Sequence, residues 1–394
     1  MTMFSSSRTS VGAILVTIAV ATVACGQTWT GSIDNDWTKS GNWDSGVPGS
    51  GAIASFQNAG NGNTNISLGG SAQPIGNLVF QTASAAAYTI GQLPGDSLSF
   101  DDLGGILVDS TVTNPQTINA SVQIPGPNGM LVVNNVSNGG ALVGTGLVGL
   151  TFGDVNIGGG ILSITNGQDG TATTATALNG DISGPGALDL FAPSGGGSAG
   201  TTNNNFLING NNTYSGGTLI QANTGSQGSI QIGTDSPFGT GKVHNVFQGN
   251  SVEFRAVGGT HTIPNDFDLD GGMNFAGENS IVLAGDIAIA SGTTRTIFNK
   301  MTATGTTLTL GATPGSSVIY LGNPSSNGGD DVGRVVILQA NSGSRMIVNA
   351  TFQDVGTGSA VRFGSSNGGH IVINAPQTYT SETQIGGGEA TVEF

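Results

Sequence analysis

The chain has 394 residues, of which 68 are Gly, 13 are Pro and one is Cys, and only 8% are charged, where soluble domains average about 25%. Nine Lys plus Arg in all exclude a helix-rich enzyme, because helices draw on Ala, Leu, Glu, Lys and Arg while Gly, Asn, Ser and Thr favour turns and strands. The formal charge of -15 repels a nucleic-acid backbone, so no nucleic-acid partner is expected.

Residues 1–26 read as a signal peptide. Arg8 precedes an apolar run from Val11 to Val23, followed by small residues, the order in which export signals are built. The run is shorter than the roughly 20 residues that span a bilayer. Cleavage after Gly26 leaves Gln27 as the first residue and a mature chain with no cysteine and no transmembrane helix. The alternative is a lipoprotein signal, Thr22-Val23-Ala24-Cys25, in which Cys25 is acylated. Both readings export the protein.

Residues 27–70 hold all three tryptophans, Trp29, Trp37 and Trp43. They form either an aromatic platform for sugar rings or a hydrophobic cap over the first turn of a stacked fold. The cap is favoured, because a terminal coil otherwise leaves its core open to water.

From residue 71 to 394 no stretch keeps a helical period. Short apolar runs recur instead, among them Asn77–Phe80, Gly105–Val108, Ser280–Leu283, Arg334–Leu338 and His370–Ile373, each bounded by Gly, Asn or Pro. Two echoes point to internal repetition. Ile220-Gln221-Ala222-Asn223-Thr224-Gly225-Ser226 returns as Leu338-Gln339-Ala340-Asn341-Ser342-Gly343-Ser344, and Ile347-Val348-Asn349-Ala350 returns 25 residues later as Val372-Ile373-Asn374-Ala375. That interval is the length of one solenoid coil. An all-β parallel β-helix is the expected fold, with about 15 to 18 coils of about 20 to 25 residues, Asn at the corners and Thr and Ser outside.

Reactive signatures are sparse. Gly144-Thr145-Gly146-Leu147-Val148-Gly149 fits a dinucleotide fingerprint, but no helix can start at Thr151-Phe152-Gly153-Asp154 to receive the phosphates. Gly196-Gly197-Ser198-Ala199-Gly200 and Gly364-Ser365-Ser366-Asn367-Gly368 fit a nucleophile elbow without the required strand and helix. Asp266, Asp268 and Asp270 alternate as in a calcium loop, although the twelfth position is Gly277 and Glu278 comes one residue late. The same alternation makes a plain strand with Phe267 and Leu269 inward. No other cofactor is expected. Asp101, Asp102, Asp330, Asp331, Arg334 and His370 are the residues from which a polysaccharide-cleaving cleft would be built, and His244, His261 and His370 show no ligand spacing.

The segment Gly210-Asn211-Asn212-Thr213-Tyr214-Ser215-Gly216-Gly217-Thr218-Leu219-Ile220 resembles the autotransporter-associated β-strand repeat of bacterial passenger domains. Gly180-Asp181-Ile182-Ser183-Gly184-Pro185-Gly186-Ala187-Leu188 before it and Phe238-Gly239-Thr240-Gly241 after it fit the same pattern. A second copy runs from Gln377 to Gly387 with Ser381-Glu382 in place of the Gly pair. The opening segment, from Thr28 through Trp29, Trp37, Trp43 and Val47-Pro48-Gly49 to Phe56, is similar to the start of large secreted repeat proteins of planctomycete-like and verrucomicrobial-like bacteria. The resemblance implies a right-handed β-solenoid on the surface of, or secreted by, a Gram-negative bacterium. It implies a structural or adhesin-like role toward cell-wall or extracellular glycans or other surface proteins, with Asn212, Thr213, Tyr214, Gly216, Gly217 and Thr218 as the repeat motif. An autotransporter ends in a membrane barrel, and this chain stops ten residues after the second copy begins to close. Its final Phe394 is one terminal aromatic and not a barrel. The alternative to the structural role is a parallel β-helix lyase or hydrolase acting on extracellular polysaccharide.

Overall fold

A computed structural model describes residues 26–137, 149–167, 174–192, 204–222, 228–246, 252–290, 294–301, 303–324, 333–364, 368–386 and 391–394. The signal segment with Cys25, most of the Gly144–Gly149 fingerprint, the Gly196–Gly200 elbow, Ser365–Asn367, and Asp330 and Asp331 lie outside the described residues.

The described chain is a parallel β-helix. Every strand pair runs parallel, and the strands collect into three sheets of 16, 13 and six strands. In a typical coil, Ile161–Asn166 lies in the first sheet and Thr174–Leu178 in the second. Ile182–Ser183 then closes the third side and Ala187–Ala192 re-enters the first sheet one level up. From His261–Ile263 onward the third side becomes a sheet of its own. Three-residue strands such as Phe267–Leu269 and Ile287–Ile289 are too short to stand alone and persist because each pairs above and below.

Alternation fixes what faces inward. Leu131, Leu162 and Leu188 stack in one column, and Val133, Ile164, Leu190 and Ile220 stack in the next; all are buried in one continuous core that runs from Trp29 to Ile373. A one-residue slip would turn every such column to solvent, so the register is strongly specified. Phe267 and Leu269 take inward places as the alternation requires.

Two expectations are corrected. Coils are longer and fewer than 15 to 18: thirteen strands succeed one another along the main path of the first sheet among the described residues, a stack roughly 58 Å tall at about 4.8 Å per step. The interval between stacked partners varies from 20 residues, Leu269 to Ile289, to 41, Thr294 to Val335, because corners accept insertions that strands cannot. The corner asparagines are also not a solubilising rim. Asn135, Asn166, Asn205, Asn245 and Asn299 are fully buried. Asn135 donates to Ala175 O and Thr176 Oγ1, Thr176 donates to Asn166 Oδ1 at 2.6 Å, and Asn166 donates to Asn205 O. Ser229 donates to Asn205 Oδ1 at 2.7 Å. Buried amides need such partners, and here each level supplies them to the next.

The two echoes behave differently. Ile347 and Val348 pair with Val372 and Ile373, and Asn374 donates to Asn349 Oδ1 at 3.0 Å, so this repeat is one coil in register. Ile220 lies in the first sheet and Leu338 in the second, so that repeat recurs on a different side of the coil.

Candidate functional site

The tyrosine motif is a buried joint between coils. Asn212 Oδ1 accepts the Ile182 amide at 2.8 Å from the coil below, and Asn212 Nδ2 donates to Pro237 O at 2.7 Å in the coil above. Thr213 is exposed. Tyr214 is fully buried, its hydroxyl 2.5 Å from Thr218 Oγ1, and Thr218 Oγ1 also lies 3.3 Å from Phe238 O. Burial pushes the Tyr214 phenol pKa up, with the Thr218 hydrogen bond opposing, so it stays neutral and structural. Gly217 has φ +90°, and Gly216 does not adopt positive φ. Gly216 is required for space, since a Cβ there would stand 2.5 Å from Gly186 O.

The second copy keeps the joint and drops the turn. Tyr379 and Thr383 hydroxyls meet at 2.5 Å, while neither Ser381 nor Glu382 adopts positive φ. Gln377 replaces Asn212: its Oε1 accepts the Phe352 amide at 2.9 Å and its Nε2 donates to Ala375 O and Ala350 O. Sequence reasoning missed the closer relative of this arrangement. At Asn114-Pro115-Gln116-Thr117, Gln116 Oε1 accepts the Tyr88 amide at 3.2 Å, and Nε2 donates to Asn114 O at 2.8 Å and Ala86 O at 2.9 Å. The shared Pro-Gln-Thr at residues 115–117 and 376–378 is the signal that could have revealed it.

At the other end, Trp29, Trp37 and Trp43 are buried and packed edge to face, with centroids 5.1 Å apart for Trp29 and Trp43 and 4.6 Å for Trp37 and Trp43. Phe56 of the first stacked coil lies within 6.4 Å of each. Trp29 Nε1 donates to Asn63 O and Trp43 Nε1 to Trp37 O. Rings so enclosed cannot stack on a sugar. The strand Gln27–Thr28 pairs with Ile53–Phe56, joining this segment to the first sheet.

The three alternating aspartates each have a separate partner. Asp266 Oδ1 accepts the Asp286 amide at 2.9 Å, Asp268 meets Lys242 Nζ at 3.1 Å, and Asp270 meets His244 Nε2 at 2.8 Å. Extended backbone separates alternate carboxylates by two strand rises, about 6.6 Å, and a lysine and a histidine already engage two of them. No group of three metal-ligating side chains occurs among the described residues.

All three histidines sit beside a carboxylate of an adjacent coil: His244 with Asp270, His261 with Asp235 at 3.0 Å, and His370 with Glu393 at 3.2 Å. The Asp270 hydrogen bond raises the His244 pKa, against burial. On the same outer face, Asp189 accepts from Gln221 at 2.9 Å and Ser163 at 3.3 Å, and burial pushes its carboxyl pKa up.

The cleft candidates among the described residues are scattered. Asp101 belongs to the early strand Ser97–Val108 and holds Ser50 Oγ at 2.7 Å and the Gly51 amide at 2.5 Å. Asp102 is exposed, Arg334 is buried, and His370 lies in the third sheet many coils away. Comparison with known protein families, with curated proteins and with solved structures returns no match for this chain.

Proposed function

We propose that this protein is an exported β-solenoid of the cell surface or extracellular space, of the autotransporter-repeat type, acting as a structural or adhesin-like rod without catalysis or cofactor. One observation supports this reading most. Polar groups on the outer face pair from coil to coil, as in Lys242 with Asp268, His244 with Asp270, and Ser163 with Asp189 and Gln221, forming a polar ribbon along the stack. Such a surface makes many weak contacts in parallel, and avidity supplies the affinity. Glycans of cell walls and other surface proteins are the partners it suits. No helix among the described residues is long and apolar enough to cross a membrane.

The test is retention of the purified chain on insoluble cell-wall and algal polysaccharides, with product analysis in the same samples. The display reading expects retention that no single polar substitution abolishes. New reducing ends or unsaturated products from wild type that vanish in Asp331→Ala overturn it in favour of the polysaccharide lyase or hydrolase, since a proton-transferring carboxylate contributes about 10²- to 10⁴-fold.

A further inference from the structure

In the later coils, where the first-sheet strand Thr351–Asp354 hands over to the second-sheet strand Ala360–Gly364, the outer surface opens into a groove of about 500 Å³. Gly356 and Gly358, at φ +84° and +83°, line it without side chains. Thr357, Ser359, Thr380, Ser381, Glu382 and Gln384 supply its polar lining.

The hydrogen-bond polarity of this lining is set from beneath. Asp354 accepts the Thr380 amide at 2.6 Å, the Thr380 hydroxyl at 2.9 Å and the Ser381 hydroxyl. Both hydroxyl hydrogens are therefore committed, and each oxygen keeps only acceptor capacity. The exposed Glu382 carboxylate adds a charged acceptor with no protein partner among the described residues. Gln384 Oε1 is occupied by Arg362 Nε at 2.7 Å, which fixes the amide and leaves Nε2 as the free donor. The groove is thus rich in acceptors, with one oriented amide donor and the Thr357 hydroxyl able to serve either way.

We propose that this groove is a binding subsite for a neutral sugar unit of a glycan, whose adjacent hydroxyls donate to Glu382 and the Thr380 and Ser381 oxygens while Gln384 Nε2 donates back. A polyol is a dense array of donors, which is what an acceptor-rich lining recognises. Acidic sugars are disfavoured by Glu382 and by the net charge of -15. The floor of the groove is open and offers no aromatic ring, so one unit binds with an affinity of about millimolar. This subsite stands independently of the display reading: a soluble hexasaccharide reports the groove alone, whereas retention on insoluble polymer reports the whole surface.

The experiment is titration of the full mature chain with cellohexaose, laminarihexaose, mannohexaose and xylohexaose, followed by saturation-transfer NMR and calorimetry, with tri-galacturonic acid as the acidic comparator. At least one neutral oligosaccharide is expected to bind, Glu382→Gln to weaken it about tenfold and Gln384→Ala about threefold, and the acidic trimer not to bind. Both side chains are on the surface, so the variants should retain the wild-type melting curve; if Glu382→Gln does not fold, Gln384→Ala decides by the same measurement. Absence of binding by all four neutral probes, equal binding of the acidic trimer, or full affinity in the folded variants overturns the proposal.

Discussion

Replacing Gly217 tests the backbone geometry of the tyrosine motif. With φ +90°, any other residue bears left-handed strain of about 1 to 2 kcal/mol. The added Cβ would also stand 2.9 Å from Lys242 O, closer than carbon and a backbone oxygen settle. That oxygen accepts the Thr218 amide at 2.9 Å, so moving it aside lengthens a ladder bond worth about 1 kcal/mol. Gly217→Ala is therefore expected to destabilise by about 3 kcal/mol, and Gly217→Val by more. Gly258 provides the control, with φ +77° and nothing within 4 Å of the place a Cβ would take, so Gly258→Ala registers strain alone at about 1 kcal/mol. Urea unfolding followed by far-ultraviolet circular dichroism measures both against wild type. Equal losses in the two alanine variants would refute the steric part of the reasoning, and an unchanged Gly217→Ala curve would refute all of it.

Gln116→Ala leaves the Tyr88 amide and the Ala86 and Asn114 carbonyls without their partner in a fully buried place, and should lower stability by about 2 to 4 kcal/mol; the half-buried Gln377→Ala should cost less, and the reverse order in denaturant titration would contradict the shared clamp. The His244 pKa is raised in the fold by Asp270, against burial, with Asp268 assisting and Lys242 opposing. Its pairing therefore stabilises fully below the unfolded value of about 6.5 and fades as pH rises through the folded value. Wild type should thus exceed His244→Gln in urea midpoint by a margin that is greatest near pH 6, small because the imidazole is 45% exposed, and reduced by salt. A margin independent of pH between 5.5 and 8 would show that the pair carries no linked proton.

What was legible in the sequence followed from periodicity. The alternation around Phe267 and Leu269 and the 25-residue echo ending at Ala375 each dictate an inward column, because burial allows only one phase of a two-residue repeat. The number of coils was not legible. It depends on corners, and insertions there stretch the interval between stacked partners from 20 to 41 residues without disturbing any strand. Gln116 was opaque for another reason. An amide reads as a surface group until its partners 28 and 30 residues away are known. The corner asparagines were misplaced on the same ground, since they are buried and their side-chain amides donate to the main chain of neighbouring coils, as Asn166 does to Asn205 O and Asn299 to Arg345 O.

These stacked amides also account for the scarcity of charge. Stacking at about 4.8 Å brings like residues of successive coils together, and a column of like charges would repel at every level. Asn, Gln, Ser and Thr carry both donor and acceptor, so a column of them can bond along its own axis, as Asn374 does with Asn349. Where acids do stack, as Asp154 with Asp181 and Asp266 with Asp286, each lower carboxylate accepts the main-chain amide of the residue above at 3.0 and 2.9 Å. The charge is held by a backbone dipole in place of a basic side chain. A solenoid built this way needs few cations, and nine serve the whole chain; among the described residues its acids are dispersed along the stack and not gathered in threes.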